Sequence, residues 1–182
     1  MVCELLFLDA LDPSLGRVDH DSFSQQALME MVIEGITNKE EICGDADDPK
    51  DIEEWMGVII DDDEVAQIDW DQFDLEGSFC LKWLPSSVRQ FTAIGNLLTG
   101  TLHCASLHTY IMGLELGNNS LTGSIDLERL PEGMEHLNVS VNQLSRRKDT
   151  SPWWVGPVPQ FWGKPRTFFK PLVVFLSWRR PY

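Results

Sequence analysis

The sequence predicts an α/β repeat fold, a short solenoid of about four parallel strands that follows an N-terminal helical cap. Two observations carry this prediction: a 23-residue period in the middle of the chain, and a helix-type apolar pattern before it. The charge distribution indicates a further boundary near residue 145. Residues 1–144 hold 28 acidic and six basic side chains, whereas residues 145–182 hold one acidic and eight basic side chains. We therefore expect a helical cap over residues 1–60, repeats over 61–144, and an irregular basic tail over 145–182 that is rich in proline and aromatic residues.

The 23-residue period is seen as columns of equivalent residues. Three of these columns are leucine (Leu75, Leu98, Leu121, Leu144), glycine (Gly77, Gly100, Gly123) and asparagine (Asn96, Asn119, Asn142). Around Leu114-Glu115-Leu116 apolar and polar residues alternate, which is typical of a half-buried strand. The asparagine that follows suits a turn, because its amide can bind main-chain groups that the bend leaves unpaired. One such coil cannot bury its own apolar side, so the repeats are expected to stack.

One repeat carries a resemblance to a known family. The pattern Ile111-x-x-Leu114-x-Leu116-x-x-Asn119-x-Leu121-Thr122-Gly123-Ser124-Ile125 resembles the leucine-rich repeat. The resemblance extends over residues 65–144, and the Leu-Thr-Gly-Ser-Ile ending is similar to the plant-type subclass, although that subclass usually has one more residue per repeat and an Ile-Pro pair. It implies a solenoid whose strands line a concave surface that binds a protein or peptide, without catalysis.

The region before the repeats predicts a helix. Ser22-Phe23-Ser24-Gln25 has the pattern of a capping box. The apolar face of the helix that follows would contain Phe23, Ala27 and Met31, with Leu28, Val32 and Ile36 beside it. This helix is expected to end between residues 38 and 42. A second short helix is expected to begin at Asp48-Pro49 and to end near Trp55.

A hairpin should join the cap to the repeats, with strands from Val58 and from Val65 on either side of an all-aspartate turn. The segment around Trp55 also resembles the N-terminal caps of receptor-type leucine-rich repeat proteins. Those caps normally pair cysteines, and Cys43 is alone here, so we expect packing without a disulfide to hold this one. The four cysteines have no Cys-x-x-Cys spacing, and reduced thiols are the expectation.

Composition argues against several classes of protein. An acidic chain with net charge −15 is repelled by phosphate backbones, which argues against nucleic-acid binding. No apolar run reaches the length of a transmembrane helix, and the first ten residues lack the basic start of a secretory signal. A cytoplasmic location is the default expectation.

Two clusters invite a metal-site interpretation, and neither has the required pattern. The acidic loop from Asp45 lacks the glycine and glutamate of a calcium loop, since Lys50 and Met56 stand at those positions. Cys104 lies close to His103 and His108, but it occupies an apolar column and is expected in the core. We expect no catalytic residue, no metal and no cofactor.

The remaining candidate is a binding surface on the polar side of the strands. Its candidate partner-binding residues are Gln67, Asp69, Asp71, Gln90, Thr92, Glu115, His136 and Asn138. The sequence favours a non-enzymatic module for a protein or peptide partner that is neutral or basic. Three alternatives stay open: a receptor-like ectodomain or enzyme inhibitor, which needs a secretory route; a truncated member of a longer repeat family; and an ordinary solvated strand surface.

Overall fold

A computed structural model describes residues 22–146 and 175–177 of the chain. Its helices and strands, in chain order, are α1 (Gln25–Ile33), α2 (Glu40–Cys43), β1 (Val58–Asp61), β2 (Glu64–Asp69), β3 (Glu76–Gly77), β4 (Gln90–Thr92), β5 (Leu97–Leu98), β6 (Gly113–Glu115), β7 (Ser124–Ile125), β8 (His136–Asn138), β9 (Ser145–Arg146) and β10 (Phe175–Ser177). Within these ranges, no helix is long and apolar enough to cross a bilayer.

The main sheet has six strands in the order β1-β2-β4-β6-β8-β10. Strands β2, β4, β6 and β8 are parallel, and their register aligns Gln67, Gln90, Gly113 and His136. The step between aligned residues is the 23-residue period, so each period forms one coil of the solenoid. The predicted short solenoid of about four parallel strands is confirmed.

A second ladder runs along the other end of each coil, beyond the asparagine turn. It contains the parallel pairs β3–β5 and β7–β9, with a bridge between Thr101 and Thr122 in the middle. The chain then returns through short 3₁₀ turns at Leu81–Trp83, Cys104–Ser106 and Leu127–Arg129.

The core is one continuous cluster of apolar side chains that extends from Leu28 in α1 to Leu144 in the last coil. Phe91 is fully buried and contacts Trp70 edge to face at 5.4 Å and Phe79 at 5.1 Å between ring centroids. The indole N–H of Trp70 donates to the Met56 carbonyl at 2.9 Å, so its polar atom is satisfied inside the core.

The asparagine column ties neighbouring coils together. Asn96 Oδ1 accepts from the Leu75 N–H at 3.0 Å, and Asn96 Nδ2 donates to the Trp70 carbonyl at 2.8 Å. Asn119 and Asn142 repeat both contacts one and two coils later, with distances between 2.8 and 3.1 Å. The amide therefore satisfies backbone groups that the turn leaves without partners, as expected for this column.

Helix α1 lies against the first coil, and its buried side agrees in part with the predicted one. Its N-cap is Ser24, whose side chain accepts from the Ala27 N–H. Of the predicted apolar residues, Leu28, Val32 and Ile36 are buried. The other three are less buried than expected, because Phe23 is 39 % exposed while Ala27 and Met31 are half-buried. The apolar stripe of this helix is wide, and the packing partner selects one side of it.

The segment between α1 and the repeats also departs from the predicted boundaries. Helix α1 ends at Ile33, and a separate helix α2 occupies the region where one helix was expected to end. The second expected helix is reduced to a 3₁₀ turn, Ile52–Glu54, followed directly by Trp55. The hairpin of β1 and β2 is present as predicted, and Asp62 and Asp63 take the positive φ angles of its turn.

The cysteines divide into two kinds. Cys43 and Cys104 are free and buried, whereas Cys80 is disulfide-bonded. The expectation of reduced thiols is therefore wrong for Cys80. Pairing depends on two Cα atoms lying within about 4.4–6.8 Å in the folded chain, which the spacing of cysteines in a sequence does not report.

Two described pieces fall in the region predicted as an irregular tail. Strand β9 continues the second ladder beyond residue 144, and β10 pairs antiparallel with β8. The other residues of that tail, 147–174 and 178–182, lie outside the described residues, as do residues 1–21 of the predicted cap.

Candidate functional site

The parallel strands place one set of polar residues on a single surface. On β2, β4 and β8 the buried residues Ile68, Phe91 and Leu137 alternate with residues that face solvent. On β6, Gly113 and Leu114 are both buried and Glu115 is half-buried. We call the resulting surface the polar sheet face; it contains Gln67, Asp69, Asp71, Gln90, Thr92, Glu115, His136 and Asn138. All eight residues predicted as candidates thus lie on it.

The register arranges these residues in rows that cross the sheet. Gln67, Gln90 and His136 belong to one row and are exposed. A second row contains Asp69, Thr92, Glu115 and Asn138, of which Asp69 is exposed and the other three are half-buried. Neighbouring strands lie about 4.8 Å apart, so each row spans roughly 14 Å, which is enough for several residues of an extended peptide.

Three carboxylates lie on this surface: Asp69 and Asp71 in the first coil, and Glu115 on β6. Asp71 accepts a hydrogen bond from the Ile94 N–H at 2.6 Å, and Asp69 accepts one from the Asp71 N–H at 3.3 Å. Partial burial raises the pKa of Asp71; the Ile94 hydrogen bond opposes this rise, and the negative charges of Asp69 and Glu115 add to it. The group therefore forms a small acidic patch whose members repel one another, and a nearby cation would relieve that repulsion.

Two glycines flank Glu115 on the same face. A Cβ atom at Gly117 would lie 3.0 Å from Asn138 Nδ2, and one at Gly113 would lie 3.4 Å from Gln90 Cγ. Both glycines are buried, because the side chains of Gln90 and Asn138 lie over their backbone. The Asn138 amide is held beside Gly117 by hydrogen bonds from the Ser140 N–H at 3.1 Å and the Ser140 hydroxyl at 2.7 Å.

An apolar patch on the flank of the strands was not predicted from the sequence. Tyr110 is 60 % exposed and Met112 is 43 % exposed. The Arg89 guanidinium lies 5.3 Å from the centroid of the Tyr110 ring, a cation–π contact. One sequence feature could have indicated this patch: Arg89 and Met112 occupy the same column of the repeat, immediately before the strand residues.

His108 lies beneath this patch. Burial, with the charge of Arg89 adding to the effect, lowers the pKa of His108 to about 4. Its Nδ1 accepts from the Tyr110 N–H at 3.3 Å, and its Nε2 is buried with no partner among the described residues. The imidazole is therefore neutral at pH 7.

The two clusters considered for metal binding are separate in the structure. Asp45 caps its own loop by accepting from the Asp47 and Asp48 N–H groups. Cys104 is 3 % exposed and belongs to the core, as predicted from its column. No group of three or more His, Cys, Asp or Glu residues in the described ranges is arranged to hold a metal ion.

Comparison of the fold with solved structures finds ectodomains of plant receptor kinases. The BIR2 ectodomain from Arabidopsis thaliana is 20% identical with a TM-score of 0.55, over 66% of this chain and 69% of that one. The BIR3–SERK2 complex from Arabidopsis thaliana gives 20% identity and a TM-score of 0.52, over 64% and 68%. The Arabidopsis receptor kinase HAESA, solved with the peptide hormone IDA and the co-receptor SERK1, is 24% identical with a TM-score of 0.56. That match covers 66% of this chain but only 22% of the HAESA chain.

Sequence comparison alone matches no protein-family model and no curated protein. At the identities found among solved structures, the shared property is the fold. The fold nevertheless agrees with the period, the strand register and the asparagine contacts of this chain. The chain therefore has the leucine-rich repeat fold.

Proposed function

We propose that this chain is a non-catalytic interaction module that binds a protein or peptide through the polar sheet face, which corresponds to the expected concave surface. One observation carries the proposal: eight polar side chains lie exposed or half-exposed on four strands that pair in a single register. Stacked repeats fix such residues on a rigid scaffold, so a partner loses little free energy to ordering the site.

The structural neighbours support a role of this kind. HAESA was solved with a peptide hormone and a co-receptor, and BIR3 was solved with SERK2. The chain spans about a fifth of the HAESA ectodomain, so the peptide site of that protein is not transferred here residue by residue. What supports the proposal is that this chain shares its fold with proteins that were solved with a peptide or protein partner.

The charge of the surface favours a neutral or basic partner. Asp69, Asp71 and Glu115 stand close enough for their charges to raise the pKa of Asp71, and a lysine or arginine from a partner would reduce this repulsion. The proposed ligand is an extended segment that places a cation near these carboxylates. Nucleic acid is not proposed as a partner.

The experiment selects ligands for the full chain from a random peptide library and compares them on two variants. Asp69→Lys/Glu115→Lys reverses charge on the polar sheet face, and Glu53→Lys reverses an exposed charge on the 3₁₀ turn outside it. The proposal predicts that the selected peptides lose at least tenfold in affinity for the double variant and keep their affinity for Glu53→Lys. Equal affinities for both variants would place the binding surface elsewhere.

A second candidate function is that of a secreted or receptor-like ligand-binding ectodomain, or of an enzyme inhibitor. The disulfide at Cys80 favours this alternative, because disulfides persist in oxidising compartments and are rare in the cytosol. A cytoplasmic module is the competing proposal. Alkylation of thiols in the source cells before lysis separates the two: a protected Cys80 supports the ectodomain, and an alkylated Cys80 supports the cytoplasmic protein.

We also propose that α1 and α2 cap the first coil of the solenoid. Two N–H groups of that coil donate to this region: Ser78 N–H to the Gly35 carbonyl just after α1, and Cys80 N–H to the Val32 carbonyl within α1. A Cβ atom at Gly77 would collide with the Gly35 carbonyl, so the two backbones are in direct contact. This contact and the buried side of α1 support a role in shielding the apolar end of the stack.

A further inference from the structure

The last coil of the solenoid is followed in the sheet by a strand from the far end of the sequence. β10 pairs with β8 in an antiparallel register that places Leu176 opposite Leu137. On either side of this pair, Phe175 is opposite Asn138 and Ser177 is opposite His136. The four coil strands are parallel to one another, so β10 is not a further repeat.

The hydrogen bonds of β8 show which backbone groups β10 meets. The His136 N–H donates to the Met112 carbonyl at 3.0 Å, and the Asn138 carbonyl accepts from the Leu116 N–H at 2.7 Å, so both residues bond to the preceding coil. Backbone groups of successive strand residues point to opposite sides. The N–H and C=O of Leu137 therefore point away from β6, to the edge where β10 lies.

We propose that this edge of β8 is a strand-addition site and that its occupant is the segment Phe175–Ser177 of the same chain. An unpaired strand edge is a template on which another chain can add a strand. By occupying it, β10 closes the parallel ladder with an antiparallel strand, as β1 does at the other end of the sheet. The segment thereby withholds the backbone groups of Leu137 from a second copy of the chain.

Sequence and charge both favour this occupant. Residues 172–176 read Leu-Val-Val-Phe-Leu, a run of β-branched and aromatic residues of the kind enriched in strands. Residues 145–182 carry eight basic and one acidic side chain, whereas residues 1–144 carry 28 acidic and six basic. Unlike charges favour attraction between these two parts of the sequence, whereas two copies of the acidic part repel each other.

The first test uses hydrogen exchange on the full chain. Leu176→Pro removes the N–H that faces Leu137, and Lys170→Pro makes the same chemical change six residues before it, outside the paired segment. We expect the Leu137 amide to exchange at least tenfold faster in Leu176→Pro and at the wild-type rate in Lys170→Pro. Slow exchange of the Phe91 amide in each variant shows that the fold is intact. If it stays slow and the Leu137 amide exchanges at the same rate in wild type and Leu176→Pro, the proposal is overturned.

A cysteine trap tests the same pairing without a proline. Asn138 and Phe175 face each other as a non-hydrogen-bonded pair, the position at which antiparallel side chains lie closest. Asn138→Cys/Phe175→Cys should form an intrachain cross-link in a monomer, and Asn138→Cys/Ser177→Cys, which is out of register, should not. Cross-linked dimers would show that the occupant is a second copy, and equal cross-linking of both pairs would show that the register is wrong; either result overturns the proposal. Neither test requires a bound partner on the polar sheet face, so it can fail independently of the proposed function.

Discussion

The asparagine column offers the sharpest test of how the coils are held together. Asn119→Ala removes an Oδ1 atom that accepts from the Leu98 N–H at 3.1 Å and an Nδ2 atom that donates to the Ala93 carbonyl at 2.8 Å. The same Nδ2 lies 3.2 Å from the carbonyls of Leu116 and Gly117. Leu98 and Ala93 are fully buried, so water cannot replace the lost amide without opening the core.

The magnitude follows from counting the groups that lose a partner. A buried donor left unsatisfied costs about 1–3 kcal/mol, and the Leu98 N–H is such a donor in Asn119→Ala. The carbonyls lose less, because each oxygen has a second lone pair. We therefore expect Asn119→Ala to lower the free energy of unfolding by about 1–3 kcal/mol. Asn96→Ala should cost at least as much, since Asn96 is only 6 % exposed.

Urea unfolding at pH 7, followed by tryptophan fluorescence, measures this loss. Gln143→Ala is the matched control, because Gln143 is an amide side chain one residue beyond Asn142 in the same turn and is more exposed than the asparagine column. The control should change stability by no more than a few tenths of a kcal/mol. If Asn119→Ala behaves like the control, the column does not bridge coils and the account of how the repeats stack is wrong.

Three further predictions concern the core, a histidine and the first coil. Leu116 is fully buried, and Leu116→Ala should cost about 2–5 kcal/mol in the same assay through the cavity it leaves; a near-neutral effect would show that the column register is wrong. The folded-state pKa of His108 is lowered to about 4 from 6.5, so the neutral imidazole stabilises the fold above pH 6.5 and this contribution is lost as the pH falls toward 4. His108→Gln should reduce the loss of stability between these pH values, and an unchanged pH profile would contradict the burial of the ring. Gly77 and Gly100 have nearly equal φ angles of 98° and 94°, but only a Cβ atom at Gly77 meets backbone of the segment after α1. Gly77→Ala should therefore lower the melting temperature more than Gly100→Ala does, whereas equal losses would argue against the proposed cap.

Much of the fold could be predicted because the repeat reports register directly. A spacing of 23 residues between Phe91 and Leu114 is also the offset between paired strands, so the sequence period and the sheet register are the same number. The asparagine positions then identify the turn, and the polar residues between buried ones identify the polar sheet face. The 23-residue period is therefore sufficient to assign all eight candidate residues to one surface.

The parts that could not be predicted depend on contacts between segments distant in sequence. The side of α1 that is buried depends on which residues of the first coil it meets, and the disulfide at Cys80 depends on proximity in the folded chain. The flank patch of Arg89 and Tyr110 forms across two coils, so neither residue stands out within its own repeat. Strand β10 has no repeat to set its register and is defined only by pairing with β8.

The central claim is that the polar sheet face is where a partner binds. Amide chemical-shift mapping by NMR, with a peptide selected from the library titrated into the full chain, tests it most directly. If the partner binds there, the largest shifts should fall on β2, β4, β6 and β8, with the strongest near Asp71 and Glu115. Shifts concentrated instead on the return turns at Leu81–Trp83, Cys104–Ser106 and Leu127–Arg129 would contradict it.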